Sequence, residues 1–186
     1  MREHVATPSR RRARMLLLSL FAAAAVVALA GYGVGAVREY VVVSASMEPT
    51  LHCASAPGCK SLHADRLIAS ALPYLFSGPA RGDVVLVDFG STRHACAGSV
   101  LVKRVVALPG EQIEQVRGRL WVDGRRLREP YLRPGTAVGV DFAKRRLRSG
   151  HYFLMGDNRA HSCDSREFGA VARDRIAAKV LLTLSG

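Results

Sequence analysis

Hydrophobic residues along this chain form one long block followed by a series of short ones. Met15 to Val37 is a run of 23 residues without a charge, rich in Leu, Ala and Val. As a helix it would reach roughly 34 Å, enough for the ~30 Å hydrocarbon core of a bilayer. Beyond it the apolar runs are short and bounded by turn residues. Tyr40-Val41-Val42-Val43 is β-prone and leads into Ser44. Asp65 to Phe76 has helical character as far as Pro73 and breaks at Ser77-Gly78-Pro79. Asp83 to Phe89, Val100 to Leu108 and Tyr152 to Met155 read as buried strands. Gln112 to Val116, Leu120 to Val122 and Arg125 to Leu127 read as short alternating strands. Asp123-Gly124 between the last two is a strong hairpin signal. Arg175 to Leu184 is ambiguous, with strand favoured over helix. The pattern predicts a mainly β fold, a single domain of packed or coiled antiparallel sheets behind an N-terminal transmembrane helix.

Charge orients the long block. Arg2, Arg10, Arg11, Arg12 and Arg14 precede it against Glu3 alone, a net of +4 (five minus one). Such a cluster stays in the cytoplasm and sends the downstream chain to the other side of the membrane. Residues 1–14 are thus expected to be a basic cytoplasmic tail, 15–37 a single-pass anchor in the cell membrane, and 38–186 one extracytoplasmic domain. A cleaved secretory signal would carry the same flank, but its apolar core is usually only about 7–15 residues. The formal charge of +12 leaves +8 on the domain (12 minus 4), crowded locally at Lys144, Arg145, Arg146 and Arg148. No zinc-finger, helix-turn-helix or RNA-binding signature accompanies it, so nucleic acid is not the expected partner. Anionic membrane lipid and an ordinary solvated surface account for the excess equally well. The apolar stretch Ile68 to Phe76 reads as a buried core helix, with a segment dipping into the membrane interface as the alternative.

Four cysteines, Cys53, Cys59, Cys96 and Cys163, follow the anchor, where disulfides persist. Cys53 and Cys59 close a short loop over Pro57-Gly58 and are the first pair expected. Zinc on His52, Cys53, Cys59 and His63 is disfavoured, because five residues between the cysteines exceed the usual two to four.

Three polar clusters carry candidate chemistry. Ser44 and Ser46 lie two residues apart where a strand gives way to Glu48-Pro49-Thr50. On an extended segment they would point the same way, one to attack a carbonyl and the other to donate to the oxyanion. Serines before a turn more commonly cap the backbone. Within Val100 to Val106 stands Lys103 beside Arg104, and alternation turns one of the two inward. Only lysine can act as a base, since arginine stays protonated, and burial lowers a lysine pKa toward neutrality. The ordinary alternative has both side chains snorkelling from an edge strand. The third cluster, Gly156-Asp157-Asn158-Arg159 through Ser162 to Asp164-Ser165-Arg166, is either a surface turn network or a support holding the lysine in one geometry.

In order along the chain, Ser46-Met47-Glu48-Pro49-Thr50-Leu51, Arg81-Gly82-Asp83-Val84-Val85, Lys103 through Glu111 and Gly156 through Arg166 closely resemble the hallmark segments of bacterial type I signal peptidases. The resemblance implies a Ser/Lys serine endopeptidase that removes signal peptides from exported preproteins after Ala-x-Ala-like sites, with no metal or cofactor. It implies Ser46 as nucleophile, Lys103 as general base and Ser44 as oxyanion donor. Ser162 would orient the lysine, and Asp164 with Arg166 would form a supporting pair. Ala107 and Glu111 depart from the family's usual glycine and aspartate, and Ala64-Asp65 stands where Gly-Asp is common. None of these removes a reacting group. Only 52 residues separate Lys103 from Gly156, so any second subdomain must be small.

Overall fold

A computed structural model describes Met15, Leu18, Ser19, Phe21 and Ala23, and residues 37–90, 100–135 and 139–186. The expected tail and most of the expected anchor lie outside the described residues. The five described positions before residue 37 are helical, and Val37 already opens a strand. Among the described residues no helix is long and apolar enough to cross a membrane. Residues 38–186 form a unit of their own.

That unit is mainly β, as the short apolar runs predict. Its larger sheet takes β1 (Val37–Val41), β2 (Arg66–Ser70), β3 (Val84–Asp88), β4 (Val100–Ala107), β9 (His151–Met155), β10 (Val171–Ala172) and β11 (Ile176–Leu184), in the order β1-β2-β11-β3-β4-β9-β10. The smaller sheet takes β5 (Gln112–Val116), β6 (Arg119–Val122), β7 (Arg125–Arg126) and β8 (Phe142–Arg146), in the order β7-β6-β5-β8. Pairing from β2 onward is antiparallel. At the β6–β7 turn, Asp123 (φ 47°) and Gly124 (φ 74°) both take left-handed backbone, which a two-residue hairpin of this hand requires.

Two expectations need correction, and one strand was not expected. Asp65 to Phe76 is not a helix: Arg66–Ser70 is strand β2, and Leu72–Leu75 is a 3₁₀ turn. Leu67 and Ala69 are buried, and pairing with β11 overrides local helix propensity. Phe76 at its end is 88% exposed, so the stretch as a whole is not a core element. Strand β8 carries no strand signal in its sequence, because Phe-Ala-Lys-Arg-Arg shows no apolar alternation; it is an edge strand, and its basic side chains suit an edge open to water. Finally, alternation does not separate Lys103 from Arg104. Both are buried.

Strand β4 explains why. It lies between β3 and β9, and different clusters cover its two faces. Val105 packs with Val85, Leu154 and Ile176, while Val106 packs with Ile113, Leu120, Phe153 and Met155. The second cluster joins the two sheets, with Phe142 of β8 stacked on Phe153 of β9 at 5.5 Å. A third cluster of Val42, Met47, Leu51, Cys53 and Leu67 seats the segment carrying the paired serines. Phe153→Ala is expected to lower unfolding free energy by about 3–5 kcal/mol, measured by urea unfolding of the full chain in detergent; a change below about 1 kcal/mol would mean that this seam does not hold the sheets together.

Candidate active site

Ser44 stays extended (φ −142°, ψ 152°), but Ala45–Met47 is a 3₁₀ turn, so the two serines do not share a strand as expected. Their hydroxyls nevertheless lie 3.2 Å apart, because the turn swings Ser46 back toward Ser44. Met47, only 1% exposed, pins the turn to the core beneath. From the other side, Asn158 N–H donates to the Ser46 carbonyl (3.1 Å) and Asn158 Nδ2 donates to the Ala45 carbonyl (3.0 Å). Asn158 therefore fixes the serine turn across a long sequence gap, a role its position beside Asp157 did not announce.

Lys103 meets this turn from β4. Its Nζ lies 2.8 Å from Ser46 Oγ and donates to its neighbour's carbonyl, Val102 O, at 2.9 Å. The residue is 2% exposed, and burial pushes its pKa down to about 8 against the opposing pull of the Asp164 and Asp157 carboxylates. Both carboxylates are themselves fully buried and matched. Asp157 takes a forked contact from Arg104 (2.9 and 2.7 Å) and a hydroxyl from Thr50 (2.6 Å). Asp164 takes a forked contact from Arg166 (2.8 Å on each oxygen) and the Gly156 N–H (3.0 Å). Asp164 also caps the short helix α1 (Ser165–Phe168). The expected Asp164–Arg166 pair thus exists, in the interior rather than at the surface. Arg104–Asp157 is its unforeseen counterpart.

Ser162 is not joined to the lysine. Its hydroxyl oxygen is buried and has no hydrogen-bond partner among the described residues. It sits against Gly156, where an added Cβ would lie 2.2 Å from Ser162 Oγ and 2.3 Å from the Ser46 carbonyl oxygen. Only glycine fits that crossing, where the third polar cluster passes over the serine turn. Behind it, Arg159 is buried, donating to the Gly156 carbonyl (3.0 Å) and paired with Glu129.

Ser44, Ser46 and Lys103 line a cleft of about 540 Å³ whose walls include Val43, Ala45, Pro57, Val100 and Leu101. Pro57 belongs to the loop closed by the Cys53–Cys59 disulfide, as expected for that pair, so neither thiol is available as a zinc ligand. Cys163 is also disulfide-bonded, and Cys96 lies outside the described residues. A buried amine within hydrogen-bonding distance of a serine hydroxyl, a second hydroxyl beside it and an apolar cleft alongside are the parts of a nucleophilic acyl-transfer site.

The family model described as signal peptidase, peptidase S26, matches residues 12–184. The chain belongs to this family. It is 35% identical over 199 residues to signal peptidase I of Mycobacterium tuberculosis strain H37Rv, covering 86% of this chain and 66% of that protein. It is 33% identical over 148 residues to signal peptidase I T of Bacillus subtilis strain 168, covering 75% and 69%. The chain therefore spans about two thirds of the length of the curated relatives it matches. A crystal structure of a signal peptidase I from Enterococcus faecalis is 28% identical, covering 57% of this chain and 98% of that one, with a TM-score of 0.47. Burying a lysine in the interior of this fold costs stability, because desolvation disfavours its charged form.

That cost is measurable. Between about pH 8 and 10.5 the folded chain binds fewer protons at Lys103 than the unfolded chain does, so stability rises with pH across that window. The penalty is complete below about 8 and gone above 10.5. Lys103→Met should raise Tm at pH 7, and its advantage should shrink as pH climbs through the window. An advantage that did not vary with pH would place the amine in water.

Proposed function

We propose that this chain is a signal peptidase that hydrolyses the peptide bond following a signal segment, with Ser46 as nucleophile and Lys103 as general base. The 2.8 Å approach of a buried amine to a hydroxyl carries the proposal. Uncharged Lys103 takes the Ser46 hydroxyl proton as Oγ bonds to the scissile carbonyl carbon. The oxyanion is received by the Ser44 hydroxyl and the Ser46 N–H. Collapse breaks the C–N bond, and the lysine ammonium returns its proton to the leaving amine. Water then gives a proton to Lys103 and bonds through its oxygen to the ester carbon; the C–O bond to Ser46 breaks and the lysine ammonium returns the proton to Oγ, restoring both groups.

Ser162 is proposed to hold the amine in line. The amine's lone pair must face Ser46, and a buried hydroxyl without a partner nearby has an oxygen left to accept an N–H. Asp164 and Arg166 keep the segment bearing Ser162 in place, since Arg166 Nη1 also donates to the Arg159 carbonyl (2.7 Å). The catalytic cleft's walls are largely apolar, which suits apolar side chains such as those of Ala-x-Ala sites. Signal peptides of exported preproteins are the proposed substrates. The proposed setting is the cell membrane, with the tail cytoplasmic and the catalytic unit on the far side; the uncharged run and its arginine flank support it.

Purified full chain in detergent, incubated with an Ala-x-Ala preprotein, should release the mature product, and both Ser46→Ala and Lys103→Ala should reduce the rate by at least about a thousandfold. Retained cleavage by either variant would remove that residue's role. In the wild type kcat/KM should rise about tenfold per pH unit in the acid range and level off near pH 8, as the amine loses its proton. A rate indifferent to pH between 6 and 8 would exclude this base.

A further inference from the structure

The catalytic cleft does not end at the serine. His161 lines both it and a second cleft of about 490 Å³, whose other walls include His52, Lys60 and Arg133. Arg133 in turn lines a third, larger cleft of about 1030 Å³ together with Arg117, Arg119, Arg126 and Arg128. The three spaces adjoin through His161 and Arg133. Along them the lining changes from apolar beside Ser46 to strongly cationic.

The carboxylates on this path are already engaged. Glu48, 6% exposed, receives His52 Nδ1 at 2.9 Å. Glu129 is turned to the buried Arg159 and accepts the Tyr131 hydroxyl at 2.9 Å. Arg117, Arg119, Arg126 and Arg128 are exposed and make no ion pair among the described residues. Protection of an edge strand accounts for Arg126 on β7. It does not account for arginines from the β5–β6 turn, the start of β6 and the loop after β7 lining one space. Unneutralised guanidinium groups gathered along a concave path set up a positive potential that attracts a carboxylate-bearing chain.

We propose that this track receives an acidic segment on the carboxyl side of the scissile bond, the first residues of the released protein, and that it favours substrates carrying Asp or Glu there. The inference rests on the peptidase reading above. The apolar cleft suits the signal side of a substrate, and an extended chain passing Ser46 must leave by another route. Among the described residues the continuation past His161 is less apolar than the cleft at Ser46 and carries positive side chains, which favours acidic residues.

The test uses two preproteins with the same Ala-x-Ala signal segment, followed by Asp and Glu in one and by Ser and Gln in the other. With the full chain at low salt, the acidic substrate should show a KM about tenfold lower. The difference should shrink toward 1 M salt, where the screening length falls to about 3 Å. An Arg119→Ser, Arg126→Ser, Arg128→Ser variant should lose the difference, and the corresponding lysine variant should keep most of it. A fluorescent acidic peptide should bind full-length Ser46→Ala protein in the same salt-dependent way and lose affinity in the serine-substituted background. Equal KM values for the two preproteins, or a preference that survives the serine substitutions, would overturn the inference while leaving the peptidase intact. Failure to cut either substrate would remove the peptidase reading and the inference with it. If the serine variant loses binding to phosphatidylglycerol vesicles but keeps the acidic preference, the arginines serve a lipid surface and the inference falls.

Discussion

The structure turns on one unfavourable act, the burial of a lysine amine beside a serine hydroxyl. Desolvation disfavours the ammonium form, and that is what supplies a base near neutral pH. Yet two buried carboxylates, Asp157 and Asp164, pull the other way. Left bare, they would hold the amine protonated. Each is instead matched by its own arginine, Arg104 and Arg166, in forked contacts that oppose its field. The arginines therefore do more than tie segments together: they let burial decide the lysine's protonation.

The same two pairs organise the backbone around the reacting atoms. Asp157 joins the start of the third polar cluster to Arg104 on β4 and to Thr50 just past the serine turn. Asp164 holds the end of that cluster by capping α1 and binding the Gly156 amide. Between these anchors Asn158 clamps the serine turn, and Gly156 allows the two backbones to cross. Removing one partner from such a pair leaves an unmatched buried charge, costly enough to loosen the whole crossing. Positional accuracy at Ser46 thus derives from electrostatic matching some distance behind it. The smaller sheet contributes as well, since Glu129 after β7 neutralises the buried Arg159.

The lysine-bearing cleft and the cationic cleft are built by different sheets. The larger sheet supplies β4 with its lysine and seats the serine turn. The smaller sheet supplies the cationic lining that begins where the apolar cleft ends. A substrate crossing from one to the other would leave an apolar environment for a polar one at the bond that is cut. That change matches the difference between a signal segment and the protein behind it.

Much of this was legible in the chain itself. Short apolar runs between Gly, Pro and Asp signals located β3, β4, β5, β6, β9 and β11, because strand burial imposes those patterns directly on the sequence. Ser44, Ser46, Lys103 and Asp164–Arg166 could be picked out as candidates because few residue types can serve as a nucleophile, a base or a buried ion pair. What sequence could not settle was whatever depends on a distant partner. Residues 66–70 are strand only because β11 lies alongside; β8 is strand despite a solvated pattern; and Arg104 is buried because β4 is covered on both faces. The approach of Lys103 to Ser46, the clamp from Asn158 and the lining-up of arginines from separate loops came into view only with the tertiary structure. Sequence determines which groups a chain possesses. Their distances, and hence their protonation and reach, follow from long-range packing that no local pattern encodes.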